Sequence, residues 1–414
     1  MGSGIAMCFI NNKIPVVLTD TTQENLDRGI AAIENNYRRS SAFKSGKMTE
    51  DQLKATMSLL TTSTNVDTLE QFNDVDMVIE AVFENLEIKK QLFSKLDKIC
   101  KPTALLCTNT SYLSIDDIAS VTQRKEYIMG THFFSPANVM KLLENVKGKE
   151  TSKAAIATAM KIGKDIGKVP VLSGNAFGFI GNRMFESYCV EAILLLEEGA
   201  RVDEVDNALK NFGMAMGPLA VLDLAGNDIG QRIRREPYYP FSKEKGVKGK
   251  RALTWMELAD ELCAQNRLGQ KTGKGWYSYA GEDKRKGQYD PAVKKMAESH
   301  AAKHGIKQTK LFFPQVLVNR CIFSLVNEGF RVLEEKVAEK SSDIDVVFNY
   351  GYGFPRYLGG PMFYADRFVG LKKVHDAMLQ FLNEQPDLPE WHFKPAPLLE
   401  QLVKEGKTLR QYES

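Results

Sequence analysis

Hydrophobic and polar positions follow two regimes along the chain. Up to about residue 174, short runs of aliphatic and β-branched residues alternate with stretches of helical periodicity, and the runs at 15–20, 75–82, 104–111, 127–134, 140–146 and 169–173 predict strands. Those beginning at Val75 and Ala104 are apolar at successive positions, the pattern of strands covered on both faces. The intervening helices carry start signals. Thr49 and Gln52 have the spacing of a capping box ahead of Leu53, and Thr151 or Ser152 can cap an alanine-rich helix that stops near Gly167. Residues 1–174 are therefore expected to form a doubly wound α/β domain.

Beyond Asn175 the strand signal fades and long amphipathic helices take over, which predicts an all-α region. A repeat runs through it. Asn182-Arg183, Glu191 and Leu196-Glu197-Glu198 recur as Asn319-Arg320, Glu328 and Leu333-Glu334-Glu335, all offset by 137 residues. Val205-Asp206 then answers Ile344-Asp345, and Gly217-Pro218 with Asp223 answers Gly360-Pro361 with Asp366, at a slightly larger offset. Two repeated helical units, residues 175–300 and 301–414, are expected. Their pairing predicts a homo-oligomer or a pseudo-dimeric monomer.

Composition narrows the function classes. A chain of 414 residues with 43% hydrophobic and 26% charged positions is ordinary globular material for two or three cores. The net charge of +3, from 55 basic and 52 acidic residues, supplies no whole-molecule field for nucleic acid or an anionic membrane. Six cysteines without a CxxC pair suit a reducing compartment, and five histidines without a His/Cys cluster give no reason to expect a metal site. The longest apolar stretch, Ala192 to Leu196, is far shorter than a membrane span requires, so no membrane insertion is expected.

The residues able to carry chemistry sit at predicted strand ends. Met1 to Ala6 reads as the tail of a G-x-G-x-x-G dinucleotide fingerprint, with Gly2 as its third glycine and Asp20, closing the next strand, as the ribose ligand of a Rossmann-like fold. A glycine-rich start with a later aspartate is also commonplace. On this reading the first strand and two glycines are missing, about ten residues upstream, which puts cofactor binding in question. Glu84 and Asn85 follow a buried strand and face the ligand crevice or cap the next helix. Cys107-Thr108-Asn109-Thr110-Ser111 follows another, and its hydroxyl and amide groups can orient a nicotinamide or a substrate carbonyl, or form an Asx turn.

The most informative stretch is Gly130-Thr131-His132-Phe133-Phe134-Ser135-Pro136, with Glu144 twelve residues after the histidine. A connection broken by Pro136 can bring imidazole and carboxylate together. The carboxylate would fix the tautomer and leave the other ring nitrogen to accept a proton. A histidine between threonine and two phenylalanines is also an ordinary core residue. Asn182, in Gly178-Phe179-Ile180-Gly181-Asn182-Arg183, can face a ligand or serve as a polar helix start with Arg183 paired locally. Two look-alikes fail. The stretch 269–275 has three residues between its glycines instead of the four of a phosphate loop, and Gly275 where magnesium needs a hydroxyl. The basic run 243–251 reads as a solvated loop.

Together with Gly269-Gln270-Lys271-Thr272-Gly273-Lys274-Gly275-Trp276-Tyr277 and Gly351-Tyr352-Gly353-Phe354-Pro355-Arg356, these stretches resemble the 3-hydroxyacyl-CoA dehydrogenase family over nearly the whole chain. Within it the resemblance is to the dehydrogenase half of the peroxisomal bifunctional β-oxidation enzymes. It implies NAD-dependent oxidation of an L-3-hydroxyacyl-CoA to a 3-ketoacyl-CoA. It also implies His132 as the base paired with Glu144, Ser111 and Asn182 as substrate-orienting residues, and Asp20, Glu84, Lys89 and Asn109 as cofactor-side contacts. A peroxisomal location follows from the resemblance. The final Gln411-Tyr412-Glu413-Ser414 is not a Ser-Lys-Leu signal, so a cytoplasmic location is the other expectation. No hydratase activity is expected, since that half is absent. The truncated fingerprint leaves as an alternative a non-catalytic, structural or CoA-binding relative, and a dehydrogenase of related fold acting on a sugar acid or a short hydroxy acid is a third reading.

Overall fold

Each predicted strand forms, and one more joins them, in the computed structural model, which describes residues 1–64, 72–240, 250–283 and 285–414. Two compact units divide the chain, Met1–Phe179 and Ile180–Ser414. The first is a Rossmann-like α/β unit and the second is helical.

In the first unit, β1 (Val16–Thr19) pairs in parallel with β2 (Leu60–Ser63) as a two-stranded sheet. The five-stranded sheet has the order β3 (Met77–Glu80), β4 (Leu105–Thr108), β5 (Ile128–Phe133), β6 (Leu142–Lys147) and β7 (Val169–Gly174). All its pairings are parallel except β5 with β6. β2 escaped the hydrophobic pattern because Leu60 is its only apolar residue. β4 is buried at every position, as its unbroken apolar run requires.

Helix α1 (Gly2–Ile10) is apolar all round and is buried accordingly. Ile5 and Cys8 pack with Phe133 and Leu143 of the larger sheet and with Ala137 between them, while Ala6, Met7 and Ile10 pack with Leu18 and Leu60 of the smaller one. Further on come α2 (Gln23–Arg39), α3 (Glu50–Met57), α4 (Leu86–Ile99) and α5 (Lys153–Asp165). Both bonds of the Thr49–Gln52 capping box form at α3, Asn85 caps α4, and Ser152 caps α5. Thr151 instead accepts from Gly148 N–H and donates to the Ile128 carbonyl.

In the helical unit, α6 (Gly181–Glu197), α7 (Val202–Phe212) and α8 (Pro218–Ala225) are followed by α9 (Pro314–Glu334) and α10 (Ser341–Val347). α6 and α9 pack along each other, and their ion pairs are reciprocal. Arg183 reaches Glu328 and Glu335, while Arg320, 137 positions after Arg183, reaches Glu191 and Glu198, each 137 positions before those two glutamates. Arg183 is thus paired across the unit and not locally. Each half also buries one aspartate behind a Gly-Pro step. Asp206 accepts from the N–H groups of Leu219 and Ala220, and Asp345 from those of Met362 and Phe363. A Cβ on Gly217 or Gly360 would stand 2.2 or 2.4 Å from that aspartate, so the close approach demands glycine.

The look-alike loop has a similar explanation. Trp276 and Tyr277 N–H donate to Asp223, and a Cβ on Gly275 would lie 1.9 Å from its carboxylate, so these residues wrap an internal acid. Of the basic run, residues 241–249 lie outside the described residues. Arg251 is not solvated as expected: it is 5% exposed and bonded to Glu197 and Glu198. No helix among the described residues is long and apolar enough to cross a membrane.

The two Gly-Pro aspartates give the helical unit a pH signature. Burial pushes each carboxyl up to about 7, against the opposing pull of its N–H donors. An unfolded aspartate titrates near ~3.9, so the folded value is the higher one. The stabilisation from proton uptake is therefore complete below the unfolded value and is lost as pH rises through about 7. The urea midpoint of the wild type, followed by tryptophan fluorescence, is expected to fall from pH ~5.5 to ~8 more than that of Asp206→Asn/Asp345→Asn, with up to ~1.4 kcal/mol per group per pH unit at stake. Parallel pH profiles for the two proteins would contradict this. All three tryptophans, Trp255, Trp276 and Trp391, lie in the helical unit, so the signal reports it alone.

Candidate active site

Strand register brings the central pair together. In the antiparallel β5–β6 ladder His132 stands directly opposite Glu144, so the two side chains leave the same face of the sheet. Nδ1 of His132 lies 2.8 Å from Glu144 Oε2, and the two side chains are 7% and 0% exposed. A buried carboxylate accepts at this distance, so Nδ1 carries a proton, and in the neutral ring the lone pair is then on Nε2. Phe134 and Phe179 flank the imidazole with ring centroids 4.6 and 5.8 Å away.

Hydrogen bonds at the ends of β3 and β4 reach the backbone beside this pair. Lys89, 1% exposed on α4, reaches Glu80 at 2.6 Å and Glu84 at 3.3 Å. Glu80 also accepts from Thr108 Oγ1 and Val82 N–H, both at 2.7 Å, which ties β3 to β4. Glu84 accepts from Thr110 Oγ1 at 2.6 Å and Ser111 N–H at 2.8 Å, which fixes the backbone of Ser111. Asn109 receives the N–H of Phe133, next to His132, on its side-chain oxygen at 2.8 Å. Glu84, Lys89, Asn109, Ser111, His132 and Glu144 therefore belong to one connected edge of the first unit.

Asp20 closes β1, exposed, its carboxylate accepting from Thr21 and Asn25. Slight burial pushes its pKa up, but those bonds outweigh it and hold the carboxyl below its ordinary value. Gly2 opens α1, where a Cβ would meet only Leu18 at 3.8 Å. The tighter position is Gly4, 3.3 Å from Ala137. Asn182 lies in the helical unit on α6, its oxygen accepting from Tyr352 Oη at 2.7 Å.

Sequence reasoning singled out neither Glu80 nor Thr110 within their strand-end motifs. An acid ending an otherwise apolar strand run was the available signal for Glu80, because such a group has to find a buried partner. Thr110 was one of several hydroxyls in a row, and nothing in the spacing singled it out.

A Rossmann-like NAD-binding sheet with a carboxylate-held imidazole at its ligand edge, followed by a helical domain, is the plan of a two-domain dehydrogenase. Residues 1–176 match the family model for the NAD binding domain of 3-hydroxyacyl-CoA dehydrogenase, and residues 178–279 and 317–413 match that for its C-terminal domain. The chain belongs to the 3-hydroxyacyl-CoA dehydrogenase family. It is 41% identical over 415 residues to the peroxisomal bifunctional enzyme of Danio rerio, covering 98% of this chain and 55% of that protein. The chain thus spans about half the length of the curated relatives it matches. Among solved structures, 3-hydroxybutyryl-CoA dehydrogenase of Escherichia coli K12 superposes with a TM-score of 0.79 at 26% identity, covering 98% of this chain and 97% of that one. The dehydrogenase part of multifunctional enzyme 1 from C. elegans gives 0.66 at 29% identity, covering 97% and 86%.

Proposed function

We propose that the chain oxidises the C3 hydroxyl of an L-3-hydroxyacyl-CoA to the ketone with NAD, as a step of fatty-acid β-oxidation. The observation that carries this reading is the buried His132–Glu144 pair at the end of β5. With Nδ1–H engaged by Glu144, Nε2 takes the hydroxyl proton as hydride leaves the same carbon, and Glu144 stabilises the resulting imidazolium. Ser111 and Asn182 hold the hydroxyl and thioester region of the substrate. Phe134 and Phe179 keep bulk water from the imidazole.

The residues present fit NAD. Asp20 is an exposed carboxylate held in its ionised form at a strand end, the acceptor that ribose hydroxyls need, and Gly2 opens a helix whose first turn carries no acidic side chain. Glu84 and Asn109 serve the cofactor side of the same edge, and Lys89 serves it through Glu84. When bound, the nicotinamide supplies the hydride acceptor.

Two finer features of the fold belong to the same proposal. β1 and β3 each have one side without a ladder partner among the described residues, and α1 packs on both sheets, which supports a further parallel strand between them. The reciprocal Arg183 and Arg320 pairs support a duplicated helical unit, related as the two halves of an isologous dimer and folded as a pseudo-dimeric monomer. The peroxisomal relative supports a peroxisomal location.

The test is hydride transfer from NADH to acetoacetyl-CoA, compared with free acetoacetate, alongside NADH titration by fluorescence. Reduction of the C3 ketone of acetoacetyl-CoA, and not of free acetoacetate, is expected. Absence of NADH binding even with the further strand supplied would overturn the reading and favour a non-catalytic relative.

A further inference from the structure

Between His132 and Glu144 the chain makes a loop, residues 134–141, and one cation outside the described network holds it. α5 ends at Asp165, and Gly167 turns the chain at φ +74, with Lys168 N–H returning to the Gly163 carbonyl. That turn aims the Lys168 side chain inward, where the residue is 8% exposed. Its ammonium donates to the Ala137 carbonyl and, at 2.7 Å, to the Met140 carbonyl, and it stands 5.9 Å from the centroid of the Phe133 ring. Both carbonyls lie in the loop, and Phe133 follows His132.

The same loop touches α1. Cys8 Sγ lies 3.3 Å from the Ala137 carbonyl, and a Cβ on Gly4 would stand 3.3 Å from the Ala137 Cβ. At the loop's far end Val169 N–H donates to the Lys141 carbonyl at 2.8 Å, so β7 sets where β6 begins. A buried ammonium that spends two donors on one loop has few alternative geometries, since releasing either carbonyl strands polar groups away from water.

We infer that Lys168 is a positioning residue for the His132–Glu144 pair: it clamps the loop joining them and fixes that loop against α1. This rests on the dehydrogenase reading above and assigns Lys168 no contact with substrate or cofactor. If the loop shifts, the register of β6 against β5 loosens at its open end and the imidazole loses its fixed direction. Displacements of about 1 Å at a reacting group cost up to about 100-fold in rate.

Lys168→Met keeps the chain's length and removes the donors. The expected result is a fall in kcat for acetoacetyl-CoA reduction of about 10- to 100-fold with KM changed by less than about threefold. Lys168→Arg should recover most of the loss. Lys161→Met, at a side chain 76% exposed, serves as the control with unchanged rate. Hydrogen–deuterium exchange supplies a readout independent of turnover: the Val139 and Met140 amides, both bonded to the Pro136 carbonyl at 2.9 Å, should lose protection in Lys168→Met.

A folded Lys168→Met protein with wild-type kcat and loop protection overturns the inference. So does a parallel loss of kcat, KM and melting temperature that Lys168→Arg does not repair. An inactive wild-type protein whose loop nevertheless loosens in Lys168→Met removes the dehydrogenase reading and leaves the clamp standing. If Lys168→Met does not fold, Cys8→Ala removes the other donor to Ala137; a severalfold drop in kcat supports the clamp, and no change counts against it.

Discussion

Replacing His132 with alanine is expected to lower acetoacetyl-CoA reduction by about 10²- to 10⁴-fold, the usual contribution of a positioned acid–base group. NADH affinity should stay within about threefold, because the imidazole is spent on Glu144 and not on Asp20 and Glu84, the proposed cofactor contacts. The split follows from geometry. Glu144 is 0% exposed and its Oε2 faces Nδ1, so the pair orients the other ring nitrogen. Stopped-flow turnover with NADH titration on the same preparation checks both halves. Survival of turnover would remove His132 from the chemistry, whereas loss of NADH binding would move it to the cofactor side.

A second large effect is expected at Arg320, and its magnitude is best read against its counterpart Arg183. Arg320 is 6% exposed at its side chain and serves Glu191 and Glu198, which are 0% and 5% exposed. Burial pushes the Glu191 carboxyl up, but Arg320 and the His392 bond more than reverse this and hold it below its ordinary value. Arg320→Leu leaves the buried Glu191 with His392 alone and the buried Glu198 with Arg251, which Glu197 shares, a change that costs up to about 3–5 kcal/mol. Arg183 is 17% exposed, its partner Glu335 is 52% exposed, and Glu328 keeps Arg331 at 2.8 Å, so Arg183→Leu should cost about 1 kcal/mol or less. Urea unfolding followed by tryptophan fluorescence measures both. Equal losses would mean that burial does not govern these pairs.

Much of the first unit could be read before any coordinates because its signals are local. β4 announces itself by an unbroken apolar run, α3 by Thr49 and Gln52, and the His132–Glu144 pair by two strands joined across Pro136. The proposed repeat was drawn from residues that recur in order, a signal that needs no partner elsewhere in the chain. The partners of buried charges were not legible. Nothing near Lys168 in sequence names the carbonyls of Ala137 and Met140, and nothing near Arg251 predicts Glu197 and Glu198. Asn182 finds Tyr352 at a separation of 170 residues. β2 stayed hidden because three of its four residues are polar, so that only pairing with β1 makes it a strand.

Reciprocal ion pairs inside one polypeptide have an evolutionary corollary. In a true twofold dimer every mutation strikes both halves at once, so the two seams must stay alike. On the duplication proposed above, joining the halves in one chain leaves each seam free to differ. Here Glu191 pairs with His392, while Glu328, 137 positions on, pairs with Arg331. One seam is a dry electrostatic knot and the other a wet one, a difference that a symmetric pair of identical chains could not carry.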